Sequence, residues 1–219
     1  MLLHPGGTGG RVDQDATPAA AKPSLTDRRK AALRLEIARA TVDLFASQGV
    51  AATKGEQIAR AVGISTRTLW RHFPSKQSCV RPLLAESLDA ATEQLRHCPP
   101  DTGLLTFLID TCERGTLPEA DPAVLDLIRM TGTDPALRAV WLQAHDEALP
   151  VLRELLAERA GASPDDLRIK VHAATINGAL RAAAEEFAQR SATEPDMGPA
   201  DLAAILRSAL RTAAEGLPY

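Results

Sequence analysis

Residues 53–76, TKGEQIARAVGISTRTLWRHFPSK, decide the fold of this chain. The first half, residues 56–62, carries Ile58, Ala59 and Val62 at helical spacing. Gly63 follows, a residue that takes a left-handed backbone at little cost and so ends a helix in a tight turn. Ser65 or Thr66 then offers a hydroxyl to the free N–H groups of the next turn. In the second half Leu69 and Phe73 lie four apart and face inward, while Thr66, Arg67, Trp70 and Arg71 fall on the opposite face. Two short helices joined by a turn, the second with a donor-rich outer surface, read as a helix-turn-helix, the shape that fits a DNA major groove.

Outward from this stretch the chain stays helical. Leu33, Ile37, Ala40, Leu44 and Phe45 form the apolar stripe of a first helix over residues 26–48, which Gly49 ends. Pro74 and Ser75 break the chain before a fourth helix over 76–97, in which Pro82 demands a kink or a delayed start. Cys98-Pro99-Pro100 closes that helix. Residues 102–114, 122–131, 135–160, 164–190 and 199–215 are each helical, with Pro, Gly, Asp or Ser at their starts. Pro150 is expected to kink or split the 135–160 segment. No strand alternation persists and no repeat occurs. Residues 1–24, rich in Gly, Pro, Ala and Thr, read as a disordered arm.

Charge points the same way as the motif. The net charge of −3 is unequally divided. Residues 22–81 carry 4 Lys and 8 Arg against 2 Asp and 2 Glu, a net +8, whereas residues 82–219 carry 12 basic and 22 acidic groups, a net −10. A basic head on an acidic body is expected when only one end meets phosphate. No run of 18 apolar residues is present to span a membrane, and the start lacks the apolar core of a signal peptide. Cys79, Cys98 and Cys112, an odd number with no C-x-x-C pair, fit a reducing cytoplasm.

Residues 33–84 resemble the DNA-binding domain of the TetR family of bacterial repressors. The resemblance rests on Phe45, Gly49, Thr53, Ile58, Ala59, Gly63, Ile64, Ser65, Thr68, Leu69, Trp70, His72, Phe73 and Lys76 in order and spacing, ending in L-W-R-H-F-P-S-K. Two positions depart from the family pattern. Lys54-Gly55 replaces a hydroxyl residue followed by an apolar one, and Trp70 stands where Tyr is common. The resemblance implies an all-α chain of about nine helices: a three-helix helix-turn-helix domain over 25–80, then a larger helical effector-binding and dimerisation domain over 81–219.

It also implies a ligand-responsive repressor that binds a palindromic operator as a homodimer and is released by a small-molecule effector. Phosphate contacts position such a head and base contacts specify. Thr53, Lys54, Trp70, His72, Ser75 and Lys76 are candidates for the backbone, and Thr66, Arg67, Thr68 and Arg71 for bases. Arg67 leads, because a guanidinium fork matches the O6 and N7 acceptors of guanine. Lys76, after Pro74-Ser75 at a helix start, is expected to serve a phosphate and so all sequences equally.

The dimer is expected to use two stripes, Ile169, Ala173, Ile176 and Leu180 on one helix and Leu202, Ile205, Leu206 and Ala209 on another. Phe107, Thr111, Cys112, Met130, Trp141 and His145 are expected to line the effector cavity. No metal spacing is present and no cofactor is expected. An enzyme is disfavoured, since no Gly-rich phosphate loop, G-x-S-x-G or H-E-x-x-H occurs. The alternative is a helical protein-binding adaptor that has lost sequence-specific reading. A steep salt dependence with sequence preference separates the two.

Overall fold

The computed structural model describes residues 24–116 and 121–216. Among these, every regular element is helical: α1 (Leu25–Gln48), α2 (Gly55–Ala61), α3 (Thr66–His72), α4 (Arg81–Arg96), α5 (Leu104–Glu113), α6 (Pro122–Thr131), α7 (Pro135–Ala160), α8 (Leu167–Ser191) and α9 (Pro199–Glu215), with a short 3₁₀ turn at Gln77–Val80. The arm expected over residues 1–24 lies outside the described residues except for Ser24. That serine caps α1: its hydroxyl accepts from the Asp27 N–H at 3.1 Å, and its own N–H donates to Asp27 Oδ2 at 3.3 Å.

Both proline expectations resolve without a break. Pro82 enters at the start of α4, after the 3₁₀ turn, where a missing N–H costs nothing. The turn begins on a reciprocal pair, Ser75 N–H to Ser78 Oγ and Ser78 N–H to Ser75 Oγ, both 3.1 Å. Pro150, by contrast, sits inside one continuous helix. It lies on the exposed side of α7, as does Asp146, whose carbonyl loses its usual donor.

Three apolar clusters hold the helices. In the first, Ile37 of α1 packs with Ile58, Ala59, Leu69, Phe73 and Cys79. The second joins Ala38, Val42 and Phe45 of α1 to Leu83 and Leu84 of α4, Leu127 and Ile128 of α6, Trp141 of α7 and Phe187 of α8. The third gathers Leu95, Leu108, Cys112, Leu152, Leu155, Ala173, Ile176 and Leu210 from α4, α5, α7, α8 and α9. Helix α1 therefore faces two ways, and the helix-turn-helix shares a core with the body. Arg39 of α1 reinforces that seam by donating to Asp121 Oδ2 at 3.1 Å and Glu86 Oε2 at 3.2 Å, and within the body Arg81 of α4 pairs with Glu147 of α7. Asp121 is also the N-cap of α6. The Cys98–Pro100 break is clamped, since the Arg159 guanidinium donates to the carbonyls of Cys98, Pro99 and Thr102 at 2.8–2.9 Å.

Candidate nucleic-acid interface

The outward face of α3 is built from its ends and its buried side. Ser65 caps the helix by accepting from the Thr68 N–H at 3.1 Å, and the Ser65 and Thr68 hydroxyls lie 2.9 Å apart. Gly63, at φ +68, makes the turn that brings α3 across α2, and the Ile64 N–H closes on the Ala59 carbonyl at 2.9 Å. Leu69 and Phe73 anchor the inner side at 0% and 2% exposure, and the Arg34 guanidinium covers the Phe73 ring at 5.0 Å.

On the opposite side Arg67, Trp70 and Arg71 are exposed, and Thr66, Thr68 and His72 are partly so. Among the described residues Arg67 and Arg71 have no hydrogen-bonding or ion-pairing partner. His72 is held below its ordinary pKa by burial, with the charges of Arg71, Arg34 and Lys30 acting in the same direction. It is therefore a neutral ring near pH 7, able to donate or accept.

Thr53 and Lys76 are placed differently from the expectation. The Thr53 hydroxyl points into the protein: it donates toward the Gly49 carbonyl at 2.9 Å and accepts from Gln48 Nε2 at 3.1 Å. Gln57 Nε2 donates on to Gln48 Oε1 at 3.0 Å, and the Lys54 N–H donates to Gln57 Oε1 at 2.8 Å. This chain of amides fastens the end of α1 to the start of α2. The Lys76 ammonium donates to the carbonyls of Val50, Ala51 and Thr53 at 2.6, 3.2 and 2.9 Å. An ammonium has three protons, and all three are engaged. Lys76 thus holds the α1–α2 loop closed, whereas Lys54 beside it is exposed. The sequence carried no signal of this, because the bond partners lie more than twenty positions away.

The residues expected at the effector site and the dimer stripe are also redistributed. A small cavity of about 30 Å³ lies between α4, α7 and α8, lined by Leu88, Thr92, Leu95, Leu149, Leu152, Ile176, Asn177 and Leu180 among others. A wide cleft of about 1460 Å³ runs along the outer faces of α8 and α9. None of Phe107, Thr111, Cys112, Met130, Trp141 and His145 lines either space. Cys112 and Trp141 are interhelical packing, Met130 packs against the same cluster as Trp141, and the Thr111 hydroxyl returns to the Phe107 carbonyl at 2.7 Å. His145 is buried, with Nδ1 2.8 Å from Asn177 Oδ1 and its ring edge-on to Trp141. Burial pushes its pKa down, opposed by the Asn177 hydrogen bond and aided by Arg181.

Of the expected stripe, Ile169, Ala173 and Ile176 pack into the subunit's own core, at 1%, 0% and 4% exposure, and of these Ile176 alone also lines the wide cleft. Ile205 and Ala209 line the cleft, whereas Leu180, Leu202 and Leu206 pack partly inward. The outward row on α8 is instead His172, Thr175, Gly178, Ala182 and Glu186, and on α9 it is Ala204, Ser208 and Thr212. Helical periodicity marks the apolar, core side of α8 and α9, and most of this outward row is small or polar and so carries no such mark.

Comparison with known proteins agrees with the site. Residues 37–83 match the model of bacterial regulatory proteins of the tetR family, and residues 115–218 match that of the MftR C-terminal domain. The chain belongs to the TetR family of bacterial transcriptional regulators. It is similar to the HTH-type transcriptional regulator TcmR of Streptomyces glaucescens, at 27% identity over 181 residues, covering 78% of this chain and 80% of that protein. Among solved structures it is similar to Thermus thermophilus FadR, a TetR-family repressor in complex with lauroyl-CoA, at 25% identity and a TM-score of 0.52. That match covers 85% of this chain and 95% of the other. FadR of Bacillus halodurans shares the fold at 18% identity and a TM-score of 0.54, over 85% of this chain and 97% of that one. The TetR-family frame accounts for the basic head, the DNA-binding helix-turn-helix and the all-helical body, and none of these matches is to an enzyme.

Proposed function

We propose that this TetR-family regulator represses transcription in the cytoplasm as a homodimer, placing two copies of α3 in successive major grooves of a palindromic operator. The observation that carries the reading is the row of unpartnered donors on α3, Arg67, Trp70 and Arg71, standing out from a helix whose other side is fixed by Leu69 and Phe73. Exposed guanidinium groups without internal partners are free to exchange water for base edges or phosphates. The +8 head supplies attraction to the duplex, and the −10 body turns away from it. Thr66, Thr68 and Arg71 accompany Arg67 at the bases, and Lys54, Trp70 and His72 meet the backbone.

Arg67→Ala is expected to weaken binding to the selected duplex by about 1–3 kcal/mol and to relax base preference at one position of each half-site. The check is selection from random duplexes with both proteins. A uniform loss across all sequences would move Arg67 to the phosphate group of contacts.

The dimer is supported by the wide α8–α9 cleft and its small-residue rows, which let two helix pairs approach closely. Effector release is supported by the small cavity, half of whose lining residues are leucine and whose helix α7 is tied through Glu147 to Arg81 at the start of α4, next to the head. The T. thermophilus repressor solved with lauroyl-CoA makes an apolar-tailed thioester the first effector to try. A cavity of about 30 Å³ must widen to admit such a chain, so binding and a shift of α4 and α7 go together. Saturating lauroyl-CoA is expected to lower operator affinity by roughly 5–150-fold, the usual range of allosteric coupling. Unchanged affinity in a titration of the protein–duplex complex would exclude this effector.

A further inference from the structure

The two departures in the recognition stretch are a single feature of the fold. Gly55 opens α2 and is buried, and the six-membered ring of the Trp70 indole lies directly against it. A Cβ placed on Gly55 would overlap Trp70 Cζ2 and stand 2.7 Å from Cη2 and 3.0 Å from Cε2. Nothing else demands glycine there, since Gly55 is not among the residues at positive φ. An alanine at a helix start is ordinarily favoured over glycine, because glycine loses more backbone freedom on folding.

We propose that Gly55 and Trp70 together are a positioning device for DNA reading: the side chain missing at 55 is the seat of the indole, and the seated indole fixes where α3 presents its outer face. Trp70 is 42% exposed, so a methyl group at position 55 does not unfold the head. It lifts the ring off its seat and toward solvent. The ring carries the indole N–H and is flanked by Arg67 and Arg71 on the helix surface, so its displacement alters the surface that meets the duplex. Gly55 acts through Trp70 and touches no base itself. The tryptophan reaches further than a tyrosine, and its seat is correspondingly empty.

The test is a double-variant cycle of Gly55→Ala and Trp70→Tyr on the duplex selected by the unaltered chain, with thermal unfolding of each protein alongside. Trp70→Tyr trims the fused ring that the new methyl meets and keeps a donor. Gly55→Ala alone is expected to lose tenfold or more in affinity with its unfolding midpoint unchanged or raised. Adding Trp70→Tyr is expected to restore most of that affinity. The chain has two tryptophans, so a Trp141→Phe background leaves Trp70 as the one tryptophan, and Gly55→Ala should shift its selectively excited fluorescence to the red. Gly55→Ala binding as well as the unaltered chain, or a double variant as weak as Gly55→Ala alone, overturns the proposal. So does an affinity loss that merely follows a falling midpoint. The inference rests on α3 reading DNA: an unaltered chain that enriches no duplex sinks both, whereas enrichment with an indifferent Gly55→Ala sinks this inference only.

Discussion

Ala182→Arg is expected to convert the protein to monomers and to lower its affinity for the operator by about 10²–10⁴-fold. The residue is exposed on α8 in the row Thr175, Gly178, Ala182, and the wide cleft beside α9 begins at its edge. Small side chains set the approach of helices packed face to face, and an arginine here holds them apart. In a twofold interface each substitution enters twice, so two cations face one another across the same seam. Within its own subunit the change is mild, because the position is solvent-facing and arginine is a good helix former. The DNA consequence follows from valency. One α3 reads only a few base pairs, and a second on the same particle binds at high effective concentration. Sedimentation of the variant, paired with duplex titration, checks both halves. A variant that stays dimeric places the interface elsewhere. A monomer that binds DNA as tightly as before contradicts the need for two heads.

Lys76→Ala is the second large effect, and it is expected to appear first in stability. The lysine ammonium gives hydrogen bonds to the carbonyls of Val50, Ala51 and Thr53, which close the loop between α1 and α2. A hydrogen bond from a charged donor contributes about 1.5–3 kcal/mol when lost, and three that share one ammonium do not add independently. A loss of about 2–3 kcal/mol is therefore expected, a fall of roughly 4–12 °C in the unfolding midpoint for a chain of this size. DNA binding weakens as a consequence, because the loop sets the start of α2 and the exposed Lys54 beside it. Lys76→Met, which keeps the aliphatic stem, should lose nearly as much. An unchanged midpoint with weakened binding would return Lys76 to direct phosphate contact.

These cases show what the sequence carries and where it stops. Helix ends were legible because their causes are local. Ser65, Asp121 and Asp134 each cap a helix through an oxygen two or three residues from its donor, and Pro122, Pro135 and Pro199 open theirs, whereas the helix read as starting at Pro164 starts at Leu167, with Asp166 as its cap. The inner side of the helix-turn-helix was legible too, since Ile58, Leu69 and Phe73 announce one face by spacing alone. What escaped depends on contacts distant in the chain. Lys76 was read from its place at a helix start, but its partners lie in another loop. Ile169, Ala173 and Ile176 were read as free because periodicity gives the apolar side of a helix without saying whether the subunit or a partner covers it. His145 and Trp141, polar and aromatic in a helical body, looked like cavity walls, yet they find Asn177 and Arg181 on α8 and are satisfied there. Gly55 stood out in the sequence only as a departure from the family pattern, and its neighbour Trp70 shows what the glycine is for.

The measurement that tests the central claim most directly is selection from a pool of random duplexes, followed by stoichiometry and a salt titration on the winner. A regulator that reads DNA through two copies of α3 should enrich an inverted repeat, bind it with two chains per site, and lose affinity steeply as salt rises. Half-sites about one helical turn, or a multiple of it, apart are expected from the twofold arrangement. No enrichment over the starting pool, or binding with a shallow salt slope and one chain per duplex, would contradict the account and leave a helical scaffold whose basic head serves another partner.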